Sequence, residues 1–115
     1  MGAEPEEQRR YWYGESTEEE ILARSLAVDL RGAMTLTQVV GALSATRLCL
    51  SLDNGVMHLA AAVNTVTVAL FREGYDRLWA PPNPNLTALT PGVGKGVGQI
   101  EVSSVIDALK RTLFE

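Results

Sequence analysis

The chain has 115 residues, enough for one small domain. At 46% hydrophobic and 21% charged residues it has the make-up of a globular core, not of a disordered tail. A net charge of -4 without any basic stripe argues against nucleic-acid binding by phosphate neutralisation, and a single cysteine excludes an internal disulfide.

Residues 1–8 are polar and acidic and read as a disordered leader, with no secretory signal. Arg9-Arg-Tyr-Trp-Tyr13, ended by Gly14, reads as a strand and turn. Ser16-Thr-Glu-Glu19 is a capping-box pattern that opens a helix running to about Leu26, with Ile21, Leu22 and Leu26 on its apolar side. Ala27-Val-Asp-Leu30 reads as a short strand broken by Gly32. A second helix starts at Thr35 or Thr37, and the spacing of Leu36, Val39, Val40 and Leu43 predicts its buried face.

Residues 47–52 form a near-continuous apolar run around Cys49, as in a parallel strand covered on both faces. Cys49 reads as a small buried hydrophobe, with no basic neighbour in sequence to activate it. A turn at Asp53-Asn-Gly55 leads into a short Ala-rich helix over 56–63, then a buried strand over 65–71. Residues 72–85, with Gly74, Pro81, Pro82 and Pro84, read as a loop. A last strand is expected at 86–89, a mobile glycine-rich stretch at 91–98 and a final helix at 103–113. That helix is capped by Ser103 or Ser104 and turns Val105, Ile106, Leu109 and Leu113 inward. The alternation of strands and helices predicts an α/β domain with a mostly parallel sheet. No apolar run reaches membrane-spanning length, and the expected compartment is the cytoplasm.

The segment richest in chemistry is Leu52-Asp-Asn-Gly-Val-Met-His-Leu-Ala-Ala-Ala62. It joins a buried strand to a helix, at the carboxyl end of the sheet where ligands of doubly wound folds bind. Gly55 lets the backbone turn and approach a ligand closely. The amides that open the helix favour an anion such as a diphosphate. Asp53 is a candidate acceptor of sugar hydroxyls, and His58 a candidate donor to phosphate or hydroxyl. The competing reading makes Asp53 a helix cap and His58 a structural histidine.

This segment resembles the Asp-Ser/Thr-Gly-x-x-His-x-Ala-Ala-Ala signature of glycosyltransferase family nine, the ADP-heptose:lipopolysaccharide heptosyltransferases. Other stretches carry the same resemblance. Tyr13-Gly-Glu-Ser-Thr-Glu-Glu-Glu20 is similar to the family's Trp-Gly-x-Glu-x-Glu-Glu stretch. Asp29-Leu-Arg-Gly32 before Thr35-Leu36 is similar to its Leu-x-Gly and Thr/Ser-Leu helix. Asp76-Arg-Leu-Trp-Ala-Pro-Pro82 is similar to its Asp-Pro-x-Arg-Trp-x-Pro loop. The resemblance covers about residues 9–113.

It implies a partial Rossmann-like fold, the carboxyl-terminal donor domain of the two-domain GT-B architecture, with usual strand order 3-2-1-4-5-6. It also implies a donor site. Asp53, Asn54, Gly55 and His58 would hold the diphosphate and sugar, Met34 would lie against the adenine, and Glu15 or Ser16 would hold the ribose. The donor is an ADP-heptose-like nucleotide sugar and the acceptor of lipopolysaccharide type. No cofactor, metal or catalytic residue is assigned to this chain, and nucleic acid is not a partner. Relatives carry an acceptor-binding domain with the general base, and a first strand of the donor domain. Neither has a counterpart here, so residues 9–115 are expected to be an incomplete domain, inactive in isolation. It would be complemented by an amino-terminal domain or a second copy, with peripheral membrane contact confined to the full enzyme. The alternative is a non-catalytic or degenerate nucleotide-binding fragment that needs a partner. Two departures bear on the site: Arg72-Glu73 stands where the family has Gly-Pro, and glycine-rich 92–98 stands where it often has cysteines. Lys95 lacks the Ser/Thr and helix start of a phosphate loop.

Overall fold

The computed structural model describes residue 20 and residues 23–114. The expected leader at 1–8, the strand at 9–13, the Ser16 cap and the inward-facing Ile21 and Leu22 lie outside the described residues. The chain divides into two compact units, Met1–Leu36 and Thr37–Glu115.

In the first unit, Glu20, Ala23 and Arg24 are helical and Ser25 bends the chain away. Leu26 therefore does not extend an apolar helix face; it is fully exposed, at 102%. The strand expected at 27–30 is also absent. These residues are irregular, and Val28 is 78% exposed. The local chemistry explains this. The Asp29 carboxylate accepts from the Arg31 amide at 3.0 Å and from its guanidinium at 2.9 Å through each oxygen. The Ala33 amide closes a turn on the Leu30 carbonyl at 3.1 Å. Side-chain bonding of this kind competes with a strand ladder.

The second unit is an α/β layer built on an all-parallel three-stranded sheet. Its helix α1 (Leu36–Ala45) leads into β1 (Cys49–Leu52), α2 (Gly55–Ala62), β2 (Thr67–Leu70), α3 (Tyr75–Trp79), β3 (Leu86–Leu89), a 3-10 turn (Val97–Gln99) and α4 (Val102–Phe114). The sheet order is β1-β2-β3, all pairs parallel, with Cys49 opposite Thr67 and Thr67 opposite Leu86. Each consecutive strand pairs with the next because each is joined by a helical crossover, as parallel pairing requires.

The register puts Cys49, Ser51, Thr67, Ala69, Phe71, Leu86 and Ala88 on one face of the sheet. That face is the core. Leu43, Cys49 and Ala60 form one cluster, bordered by Val39, Leu59 and Val63. Met57, Ala69 and Phe71 form another, bordered by Ala80, Leu86 and Ala88. Phe71 and Met57 are fully buried, and side chains of this size stabilise by roughly 1.5–3 kcal/mol each on burial. On the opposite face Val68 is fully buried and α4 packs against β2.

That second face corrects the reading of β1. It is not covered on both sides: Leu50 is 50% and Leu52 is 53% exposed, while Cys49 and Ser51 are buried. Composition alone does not distinguish an edge strand from a central one. In α1, Leu43 is buried and Val39 and Val40 half-buried, but Leu36 is 69% exposed because it begins the helix. In α4 the inward face is Val105, Ala108, Leu109 and Thr112, spaced i, i+3, i+4, i+7, so Ile106 and Leu113 face outward instead. Ser103 lies inside that helix, which starts one residue earlier than expected.

The loop expected at 72–85 contains α3. Residues 91–98 are held by hydrogen bonds: Lys95 N–H to the Gly92 carbonyl at 3.1 Å and Gly96 N–H to the Gln99 amide oxygen at 2.8 Å. Gly92 and Gly94 take positive φ values of 103° and 77°, which only glycine adopts freely. Among the described residues no helix is long and apolar enough to cross a membrane.

At the amino ends of the strands an asparagine network ties the layers together. Asn64, in the left-handed region at φ 60°, accepts through its side chain from Asn83 at 3.3 Å and through its carbonyl from Asn85 at 3.2 Å. Asn83 also donates to the Ala61 carbonyl at 2.9 Å. Buried Thr65 donates to the Leu43 carbonyl at 2.6 Å, fastening α1 to the start of β2.

Candidate functional site

The 53–58 segment lies where the sequence reading expects it. Asp53 and Asn54 are a two-residue bend between the carboxyl end of β1 and the first turn of α2. The bend is short because Asn54 closes it. Its backbone is extended, at φ -151° and ψ -176°, and its side-chain oxygen accepts from the Val56 amide at 3.1 Å and the Met57 amide at 3.4 Å. Buried Ser51 braces this cap from below, its hydroxyl lying 2.8 Å from the Leu52 carbonyl and 3.2 Å from the Asn54 side-chain oxygen.

The cap therefore falls to Asn54, not to Asp53. Two of the four amides that a helix start leaves unpaired are already taken, so the helix offers an anion less than a bare helix end would. The sequence reading starts the helix at Val56 and so misses this cap; the helix begins one residue earlier, at Gly55, directly after Asn54.

Asp53, Gly55 and His58 are all exposed. Gly55 and His58, three residues apart on α2, share one side of its first turns. Neither the Asp53 nor the His58 side chain is tied to another described residue by a hydrogen bond or ion pair. A structural histidine would be expected to show such a bond. A methyl group built at Gly55 meets nothing within 4 Å, so the space above its backbone is open. Met57, next to these residues, points the other way into the core. One short helix thus presents Gly55 and His58 outward while Met57 and Ala60 anchor it.

Met34 lies in the first unit, half-buried, after the turn at Arg31 and Gly32. Glu15 and Ser16 lie outside the described residues. Beside the cluster the carboxyl ends of β2 and β3 contribute residues that sequence reasoning noted only as departures. The Arg72 guanidinium carbon lies 4.6 Å from the centre of the Tyr75 ring. The Glu73 carboxylate accepts from the Gly92 amide at 3.2 Å, fastening the glycine-rich segment to the end of β2. Lys95 has no phosphate-loop geometry: one turn of 3-10 helix follows it, and the amide of Gly92 is already occupied by Glu73.

Cys49 is buried at the start of β1, and burial pushes its thiol up from its ordinary value. The thiolate is the disfavoured form there, which works against a nucleophilic role. Among the described residues no three metal-ligating side chains come together.

No curated protein and no solved structure matches the chain significantly. A family model does: glycosyltransferase family 9 (heptosyltransferase) matches residues 3–97. That span contains the whole 53–58 segment, the three parallel strands and both glycines of the 92–94 turn. With most of its length matched, and with the α/β sheet the match demands, the chain belongs to glycosyltransferase family 9, the heptosyltransferases.

Proposed function

We propose that this chain binds the nucleotide-sugar donor, an ADP-sugar of the ADP-heptose kind, for transfer to a lipopolysaccharide-type acceptor. The observation that carries the reading is the exposed trio of Asp53, Gly55 and His58 at the carboxyl end of β1, with open space over Gly55. A carboxylate there accepts sugar hydroxyls, a close-approaching backbone amide suits a diphosphate oxygen, and an imidazole donates to either. In this reading the acceptor oxygen bonds to the anomeric carbon as the bond to the diphosphate breaks, and ADP leaves. The acceptor's proton goes to a carboxylate of a complementing domain, since no catalytic base is assigned here. His58 and the Gly55 amide stabilise the charge that grows on the departing diphosphate.

The half-exposed Leu50 and Leu52 of β1 support a second part of the reading, in which a complementing domain or a second copy completes the sheet. Met34 against the adenine and Glu15 or Ser16 on the ribose complete the proposed donor contacts.

Amide NMR of the full chain tests the reading, by titration with ADP and with UDP as control. Saturable, ADP-selective shifts at Gly55 and His58 support it. A well-dispersed spectrum that ADP leaves unchanged refutes donor binding.

A further inference from the structure

We propose that Arg72 contacts the donor diphosphate, an inference that rests on the donor-site reading above. The strand register pairs Leu52 with Leu70. The next residues, Asp53 and Asn54 on one chain segment and Phe71 and Arg72 on the other, therefore leave the sheet as neighbours. Adjacent strands lie about 4.8 Å apart, so Arg72 emerges within a side chain's reach of the 53–58 bend.

The charge at this end of the sheet needs such a residue. Asp53 is an exposed carboxylate there and the chain carries a net charge of -4, both unfavourable to an anionic ligand. Among the other described cations of the second unit, Arg47 precedes β1 at its amino end, Lys110 and Arg111 lie on α4, and Lys95 follows β3, which is separated from β1 by β2. Arg77 also follows β2, but it sits on α3, five positions further along the chain than Arg72.

Arg72 is also uncommitted. It is exposed, and no carboxylate among the described residues lies within ion-pairing distance of it. The adjacent carboxylate, Glu73, is engaged with the Gly92 amide on the β3 side. The guanidinium instead stacks on the Tyr75 ring at 4.6 Å. Stacking on a ring face limits the motion of the fork and leaves its N–H edges for two parallel bonds to phosphate oxygens. At the carboxyl end of β2 this chain thus has a cation held in place.

Calorimetric titration of the full-length wild type, Arg72→Gln and Arg72→Lys with ADP, AMP and adenosine tests the assignment. Arg72→Gln should weaken ADP about tenfold, weaken AMP less and leave adenosine unchanged, because a charge-assisted bond is lost only where phosphate is present. Arg72→Lys should fall between, keeping the charge but not the fork. Raising the salt concentration should weaken ADP more for wild type than for Arg72→Gln. Unchanged ADP affinity in Arg72→Gln, with wild type still binding, overturns the role of Arg72 and leaves the donor site standing. Equal losses for ADP, AMP and adenosine also overturn it, since they mark a structural role. Absence of ADP binding by wild type defeats the donor-site reading, and the Arg72 assignment with it.

Discussion

Gly55→Ala separates what the fold needs at the site from what a ligand would need. Gly55 is the first residue of α2, its φ is not in the left-handed region, and an added methyl meets no atom within 4 Å. The fold therefore has no steric reason for glycine. Replacing it restricts the unfolded chain, and at a compatible position that stabilises by about 0.4–1 kcal/mol. With a urea slope of roughly 1–2 kcal/mol/M for a chain this small, the unfolding midpoint should rise by about 0.2–1 M. ADP binding should move the other way. The methyl occupies the space through which a diphosphate oxygen would reach the backbone amide, and losing one such contact weakens binding about tenfold. Urea unfolding followed by circular dichroism reads the first quantity, and calorimetric titration with ADP the second. A lower midpoint would refute the open geometry at Gly55. A higher midpoint with unchanged ADP affinity would refute close approach of a ligand to this backbone.

Two further predictions concern residues whose roles the tertiary structure assigns. Asn54→Ala removes the acceptor for the Val56 and Met57 amides and should destabilise by about 1 kcal/mol, while Asn54→Asp keeps the cap and stays within a few tenths; urea midpoints of the three proteins check the order. Asn54→Asp should nonetheless weaken ADP, because it adds a negative charge beside the proposed diphosphate. For Cys49, burial raises the folded-state thiol value above the unfolded one. The unfolded chain then loses its proton first as pH rises, so stability is intact below the ordinary thiol range and declines above it. A Cys49→Ala variant should show a smaller alkaline decline in urea midpoint than wild type, and equal declines would refute this linkage.

Much of the fold is legible in local pattern. The alternation of apolar runs, the Asn-Gly turn and the Ala-rich segment locate β1, α2, β2 and β3 within a residue or two. Backbone hydrogen bonding and periodicity act over a few residues, so a few residues reveal them. The strand misread at 27–30 shows the limit. Val28 and Leu30 have strand-like side chains, but no neighbouring strand pairs with them among the described residues, and the Asp29–Arg31 bonds bend the chain instead. Likewise α3 hides in a segment rich in glycine and proline: it lasts five residues, and its Ala80 flank is held by packing on the second core cluster.

By itself, the sequence determined that 53–58 stands between a strand and a helix, and that glycine, an acid and a histidine fall within six positions there. The tertiary structure alone decided that Asn54 caps the helix, that Asp53, Gly55 and His58 face outward, and that Leu50 and Leu52 stay half exposed. It also decided that Leu70, eighteen positions after Leu52 in the sequence, lies beside it. The reason is physical. Strand register converts distance along the chain into adjacency in space, and whether a side chain is exposed depends on which elements pack over it.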